Sequence, residues 1–137
     1  MVEQGLVALI QGGLGAPPIA PGGWPVMLPE NQISKSAPMA WVYRSLTAPP
    51  TYVLEGQDSL TDWNIAIDCH GFTMAYAIQL ARAIDGVLRG GYAGVLPDPD
   101  HTFVHGIFRQ APLADGFSDL TRSYVRTLEY KIQYYQI

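Results

Sequence analysis

Asp62-Trp63-Asn64-Ile65-Ala66-Ile67-Asp68-Cys69 decides the fold class. Trp63, Ile65, Ile67 and Cys69 alternate with Asp62, Asn64, Ala66 and Asp68, the period of two that gives a strand one apolar and one mostly polar face. Such a strand needs a partner strand on its edge and a layer on its apolar face. Upstream, Met39 to Thr47 supplies the partner, with Trp41 and Tyr43 alternating with Ala40, Val42 and Leu46 until Pro49 and Pro50 end the run. The span 48–60 then reads as the tip of a long projecting β-hairpin, turning at Gly56 and kept polar by Glu55 and Asp58. Downstream, Thr73 is placed to cap a helix running to about Arg89, with Met74, Ala77, Ile78, Ala81, Ile84, Val87 and Leu88 on one stripe and Gly90-Gly91 as its stop. At about 1.5 Å per residue that helix spans roughly 25 Å, enough to cover a sheet face.

Farther out, His101 to Gln110 reads as a strand, Asp115 to Asp119 as a bend, and residues 121–135 as a long closing strand. In that last strand Tyr124, Leu128, Tyr130, Ile132 and Tyr134 share one face, with Thr127, Glu129, Lys131 and Gln133 on the other. Residues 2 to about 11 carry Leu6, Leu9 and Ile10 at helical spacing and stop at Gly12-Gly13. Six of the eleven prolines fall between Leu14 and Pro38, so this stretch runs extended, with Trp24 to Leu28 as a candidate edge strand. The expected class is α+β: a mainly antiparallel sheet packed against one long and one short helix, in a single domain over 1–137.

Charge is the unusual feature of the composition. Only 15% of the residues are Asp, Glu, Lys or Arg, against roughly 25% in an ordinary soluble domain, while 48% are hydrophobic. A surface so poor in charge is suited to meeting other protein. The net charge of −4, with no Lys/Arg cluster, argues against nucleic-acid binding by counterion release. No apolar run approaches the roughly 18 residues of a membrane span, and Glu3 with Gln11-Gly12-Gly13 argues against a signal peptide. Cys69, the only cysteine, rules out an intramolecular disulfide and fits a reducing compartment.

Candidate chemistry is sparse. Cys69 and His70 are adjacent, but neighbours on a strand point to opposite faces, so the imidazole cannot serve the thiol as a base. His101 and His105 lie about 13 Å apart on a strand, too far to share a metal. Asp98, Asp100 and His101 sit between prolines in a turn, without a metal-ligand pattern. Gly12, Gly13 and Gly15 close a helix where a phosphate loop would open one. Asp62 and Asp68, about 20 Å apart along one strand, are too distant to act as a catalytic pair. The expectation is therefore no catalytic residue, no cofactor and no metal. A small cysteine hydrolase using Cys69 and a stand-alone ligand-binding domain stay open as alternatives.

The order of elements resembles the phage tail completion family, the tail terminators that join tail to head. The resemblance rests on the short N-terminal helix, Pro38-Met39-Ala40-Trp41-Val42-Tyr43, the alternating strand Trp63 to Cys69, the Ala-rich helix Met74 to Leu88, and the closing Arg122-Ser123-Tyr124-Val125-Arg126-Thr127-Leu128-Glu129-Tyr130-Lys131-Ile132. The link over residues 14–38 is longer and richer in Pro and Gly than in that family. The resemblance implies a structural virion protein of the neck: a homohexameric ring that caps the tail tube, ends its polymerisation and presents its other face to a head-side connector. A connector or stopper component of the same neck is the alternative. Six chains would carry about −24, a sign that lets DNA pass through the lumen unbound. Candidate contact residues are Trp24, Val26 and Leu28 in the Pro-rich link, Tyr52, Leu54 and Gly56 at the hairpin tip, and Tyr135, chosen because the domain's own core does not obviously satisfy them.

Overall fold

The structure is a computed structural model that describes residues 2–14, 20–26, 28, 32–46, 61–88, 93–96, 102–110, 114–119 and 121–135. The elements are α1 (Val2–Gly13), β1 (Gly22–Pro25), β2 (Met39–Ser45), β3 (Thr61–Gly71), α2 (Met74–Leu88), β4 (Gly94–Val95), β5 (Phe103–Arg109), β6 (Ala114–Ser118) and β7 (Ser123–Tyr135). Among the described residues, seven strands form one sheet in the order β1-β2-β3-β7-β5-β4, with β6 also paired to β7. All pairs are antiparallel except β1 with β2, so the class is α+β with a mostly antiparallel sheet.

The alternating stretch lies at the centre of this sheet. β3 pairs with β2 from Met39↔Gly71 to Ser45↔Ile65 and with β7 from Thr61↔Tyr134 to Gly71↔Tyr124. Being central, it is buried on its apolar face and bonded along both edges. Trp63, Ile65, Ile67 and Cys69 are fully buried, and so is Ala66 on the other face. Both helices cover the apolar face: Leu6, Ile10 and Leu14 with Leu80, Ala81, Ile84 and Leu88 pack on Trp41, Trp63, Ile65, Ile67, Leu128, Tyr130 and Ile132.

α2 begins as its capping residue directs. The Tyr76 N–H donates to Thr73 Oγ1 at 3.4 Å, and the Ala77 N–H donates to the Thr73 carbonyl at 3.2 Å. A Cβ on Gly71 would lie 2.4 Å from the Ala77 nitrogen, so β3 can run into α2 this tightly only with glycine there. At the other end of the sheet order, Gln11 of α1 holds the β1 edge. With its amide oxygen turned inward it accepts from the Gly22 N–H at 3.1 Å and from Trp41 Nε1–H at 2.9 Å.

Two readings from sequence are corrected. Asp115 to Asp119 is not simply a bend: β6 occupies Ala114–Ser118, in unbroken register with β7 from Ala114↔Thr127 to Ser118↔Ser123. β5 and β6 lie end to end along one side of β7, which recruits turn-type residues into a ladder by pairing that local propensity does not report. The edge strand in the Pro-rich link is Gly22–Pro25, and not Trp24 to Leu28. It ends where Pro25 removes a donor and Val26 takes a positive φ of 69°. Residues 48–60, read as a hairpin tip, lie outside the described residues.

Candidate functional site

Side-chain chemistry is divided between the two faces of the sheet. On the open face, Arg44 of β2 donates through Nε to Asp68 Oδ2 at 2.7 Å and through Nη2 to Oδ1 at 3.2 Å, while Thr127 Oγ1 donates to the same Oδ1 at 2.8 Å. This row ties β2, β3 and β7 together across their polar sides. Also on that side, His70 Nδ1 lies 2.8 Å from Ser123 Oγ, which lies 2.7 Å from Thr121 Oγ1, all three residues buried. Burial outweighs the nearby Asp68 carboxylate and holds the His70 pKa below its ordinary value.

The helix-covered face holds a buried polar pair between α2 and β7. Tyr130 of β7 donates its hydroxyl to Asp85 Oδ1 of α2 at 2.5 Å, and Arg109 Nη1 approaches Asp85 Oδ2 at 3.8 Å. Burial and this bond push the Tyr130 phenol well above its ordinary pKa. Asp85 thus locks α2 onto β7 from within an otherwise apolar layer. The signal for it in sequence was an acidic residue on the apolar stripe of a helix, beside Ile84 and Leu88.

Cys69 faces the core and is fully buried, and burial raises its thiol pKa far above the ordinary value, a state that suppresses the nucleophilic thiolate. His70, its neighbour, points to the opposite face and bonds Ser123. Among the described residues no three His, Cys, Asp or Glu side chains gather as metal ligands would. Asp98, Asp100 and His101 lie outside the described residues.

Of the candidate contact residues, Leu28 is corrected. It is 3% exposed, packed with Ala40 and Val42 and flanked by Trp24 and Ile33 in a small second core over the open face. The Pro-rich link therefore satisfies Leu28 within the chain and half-buries Trp24. Val26 is 68% exposed. Tyr52, Leu54 and Gly56 lie outside the described residues. Tyr135 ends β7 opposite Phe103.

A group of exposed aromatic residues lies elsewhere. Phe72, just past β3, Tyr76 in the first turn of α2, Phe117 near the end of β6 and Tyr124 at the start of β7 are all exposed and all lie at one end of the sheet. Phe117 and Tyr124 meet edge to face with ring centroids 5.0 Å apart. Beside them Arg126 donates to Asp115 through Nε at 2.7 Å and Nη2 at 2.9 Å, holding the Asp115 carboxyl below its ordinary pKa. The opposite end of the sheet is where β2 stops at Ser45 and β3 begins at Thr61. The sequence contained each aromatic residue, but only the register brings them together.

The class these features define is an α+β protein with one helix-covered sheet face, a second face that is part polar and part covered by the Pro-rich link, and an aromatic end. No family model and no curated protein matches the chain. Among the described residues no helix is long and apolar enough to cross a membrane.

Proposed function

We propose that the protein is a structural subunit of a phage neck, a tail terminator that assembles as a ring between the tail tube and a head-side connector. One observation carries the reading: a single continuous sheet has two dissimilar ends. One gathers exposed aromatic side chains, and at the other β2 ends at Ser45 and β3 begins at Thr61. A joining protein has to meet two different partners without deforming, and two ends of one continuous sheet, braced by β3 and β7 along their whole lengths, suit that task. The low charge and the resemblance in element order support the same reading. On it the protein belongs to the virion and turns over no substrate.

Negative-stain electron microscopy of the purified protein tests this directly. Rings with a central hole are expected, and incubation with tube protein should yield tubes capped at one end. Single chains at high concentration that neither form rings nor bind tube ends would overturn it. Tyr52→Asp with Leu54→Asp is expected to leave folded chains that fail to assemble.

A further inference from the structure

The sheet has two kinds of edge. β1 is blunted: it has four residues, a register shift between Gly22 and Trp24, a positive φ of 84° at Gly23, and Pro25 without a donor. β6 has none of these devices. Its five residues pair regularly with β7, and among the described residues nothing pairs with its outer side. It carries no Lys and no Pro, its one charge is cancelled in place by Arg126, and Ala114 through Phe117 are exposed. Backbone donors and acceptors at alternate positions of β6 therefore face outward with no side-chain protection.

The side-chain pattern on this edge is complementary to itself. Asp115 and Phe117 share the helix-side face of the sheet with their β7 neighbours Arg126 and Tyr124, while Ala114, Gly116 and Ser118 point to the open face and are small. Turning a second copy about a twofold axis at Gly116 gives an antiparallel pair with Gly116 opposite Gly116, Asp115 opposite Phe117 and Ala114 opposite Ser118. The two Phe117 rings then become diagonal neighbours, about 7–8 Å apart at their backbones and within reach of each other. Each Phe117 then lies between its own Tyr124 and Asp115 of the other copy, with the second Phe117 on the diagonal, an arrangement that would cover rings now 40% and 53% exposed. The two Asp115 carboxylates also approach, but each already carries its own guanidinium partner.

We propose that β6 is a self-association edge, through which two copies of this chain pair β6 to β6, antiparallel about Gly116, and join their sheets into one. The contact does not rest on the ring reading; it takes Phe117 and Tyr124 of the aromatic end for the second copy and leaves Phe72 and Tyr76 for a neck partner. A head-to-tail ring brings different positions together, whereas the twofold brings each position to its own copy or to its mirror position about Gly116.

Cysteine cross-linking reads that difference. Nothing lies within 4 Å of a Cβ built on Gly116, so Gly116→Cys is tolerated, and buried Cys69 does not compete. Under mild diamide oxidation Gly116→Cys is expected to give disulfide-linked dimer at least about tenfold faster than Asp119→Cys in the adjoining turn, because only the axial position meets the geometry a disulfide needs. Mixing Ala114→Cys with Ser118→Cys should give the mixed dimer in preference to either homodimer. Phe117→Asp, at an exposed position, should weaken dimerisation at least about tenfold in sedimentation equilibrium by setting a second carboxylate directly opposite Asp115 of the other copy. Equal cross-linking of Gly116→Cys and Asp119→Cys, or unchanged association of Phe117→Asp, overturns the proposal.

Discussion

The two halves of β7 obey one alternation and meet different fates. From Leu128 to Tyr134 the even-numbered side chains are buried under the helices, and Tyr130 is locked to Asp85 of α2. From Tyr124 to Arg126 the same face is open, and the Tyr124 ring lies at the surface against Phe117. A period of two says which side chains share a face; it does not say whether anything covers that face. Cover is decided by where a helix lies, and the helices pack on β3 and the second half of β7. Stability should therefore concentrate in residues 128–134 and their partners, with the first half left for contacts outside the chain.

The largest effect should come from the covered half. Ile132→Ala removes a side chain packed among Trp63, Ile107 and the helices, and about 2–5 kcal/mol of stability should be lost in urea unfolding. Next is Tyr130→Phe, which takes the hydroxyl donor from Asp85 and should cost about 1.5–3 kcal/mol, the range for hydrogen bonds to charged groups. A loss below about 0.5 kcal/mol, the usual scale of surface substitutions, would mean that Asp85 is satisfied without Tyr130 and that the lock is not what fixes α2.

The same contrast explains what was legible in the sequence. β3 and α2 were readable because central burial imposes a strict period and capping imposes Thr73. β6 was not, since Ala-Asp-Gly-Phe-Ser has turn-like composition and becomes a strand only because β7 extends far enough to pair with it. Leu28 was misassigned for a related reason: local sequence does not reveal that Ala40 and Val42 leave a shallow apolar patch on the open face for it to cover. Of the candidate surface, the aromatic residues were visible singly, but their convergence depends on the pairings Gly71↔Tyr124 and Phe117↔Tyr124.

At the start of the open half lies a pH-dependent element. Ser123 begins β7 and contacts buried His70, whose pKa is lowered by burial. The unfolded chain therefore binds the proton more readily than the folded one. His70 adds full stability above its ordinary pKa of about 6.5, and that contribution is lost as pH falls through this value and then through the lower folded one. Urea midpoints measured between pH 7.5 and 5 should decline with acidity in the parent protein and decline less in His70→Gln. Equal slopes in both proteins would assign the acid sensitivity to other groups.

The smallest effect, and the sharpest test of the comparison, belongs to the open half. Phe117→Ser removes an edge-to-face partner of Tyr124, but both rings already contact solvent, so little apolar surface returns to water on unfolding that was not exposed before. The loss should be about 0.5 kcal/mol or less at protein concentrations too low for association. Self-association would add stability by mass action, so the cost of Phe117→Ser should grow as concentration rises, while that of Ile132→Ala should not. A large cost at low concentration would mean that the ring packs within its own chain. A cost that grows with concentration would identify the first half of β7, with β6 beside it, as surface completed by a second molecule.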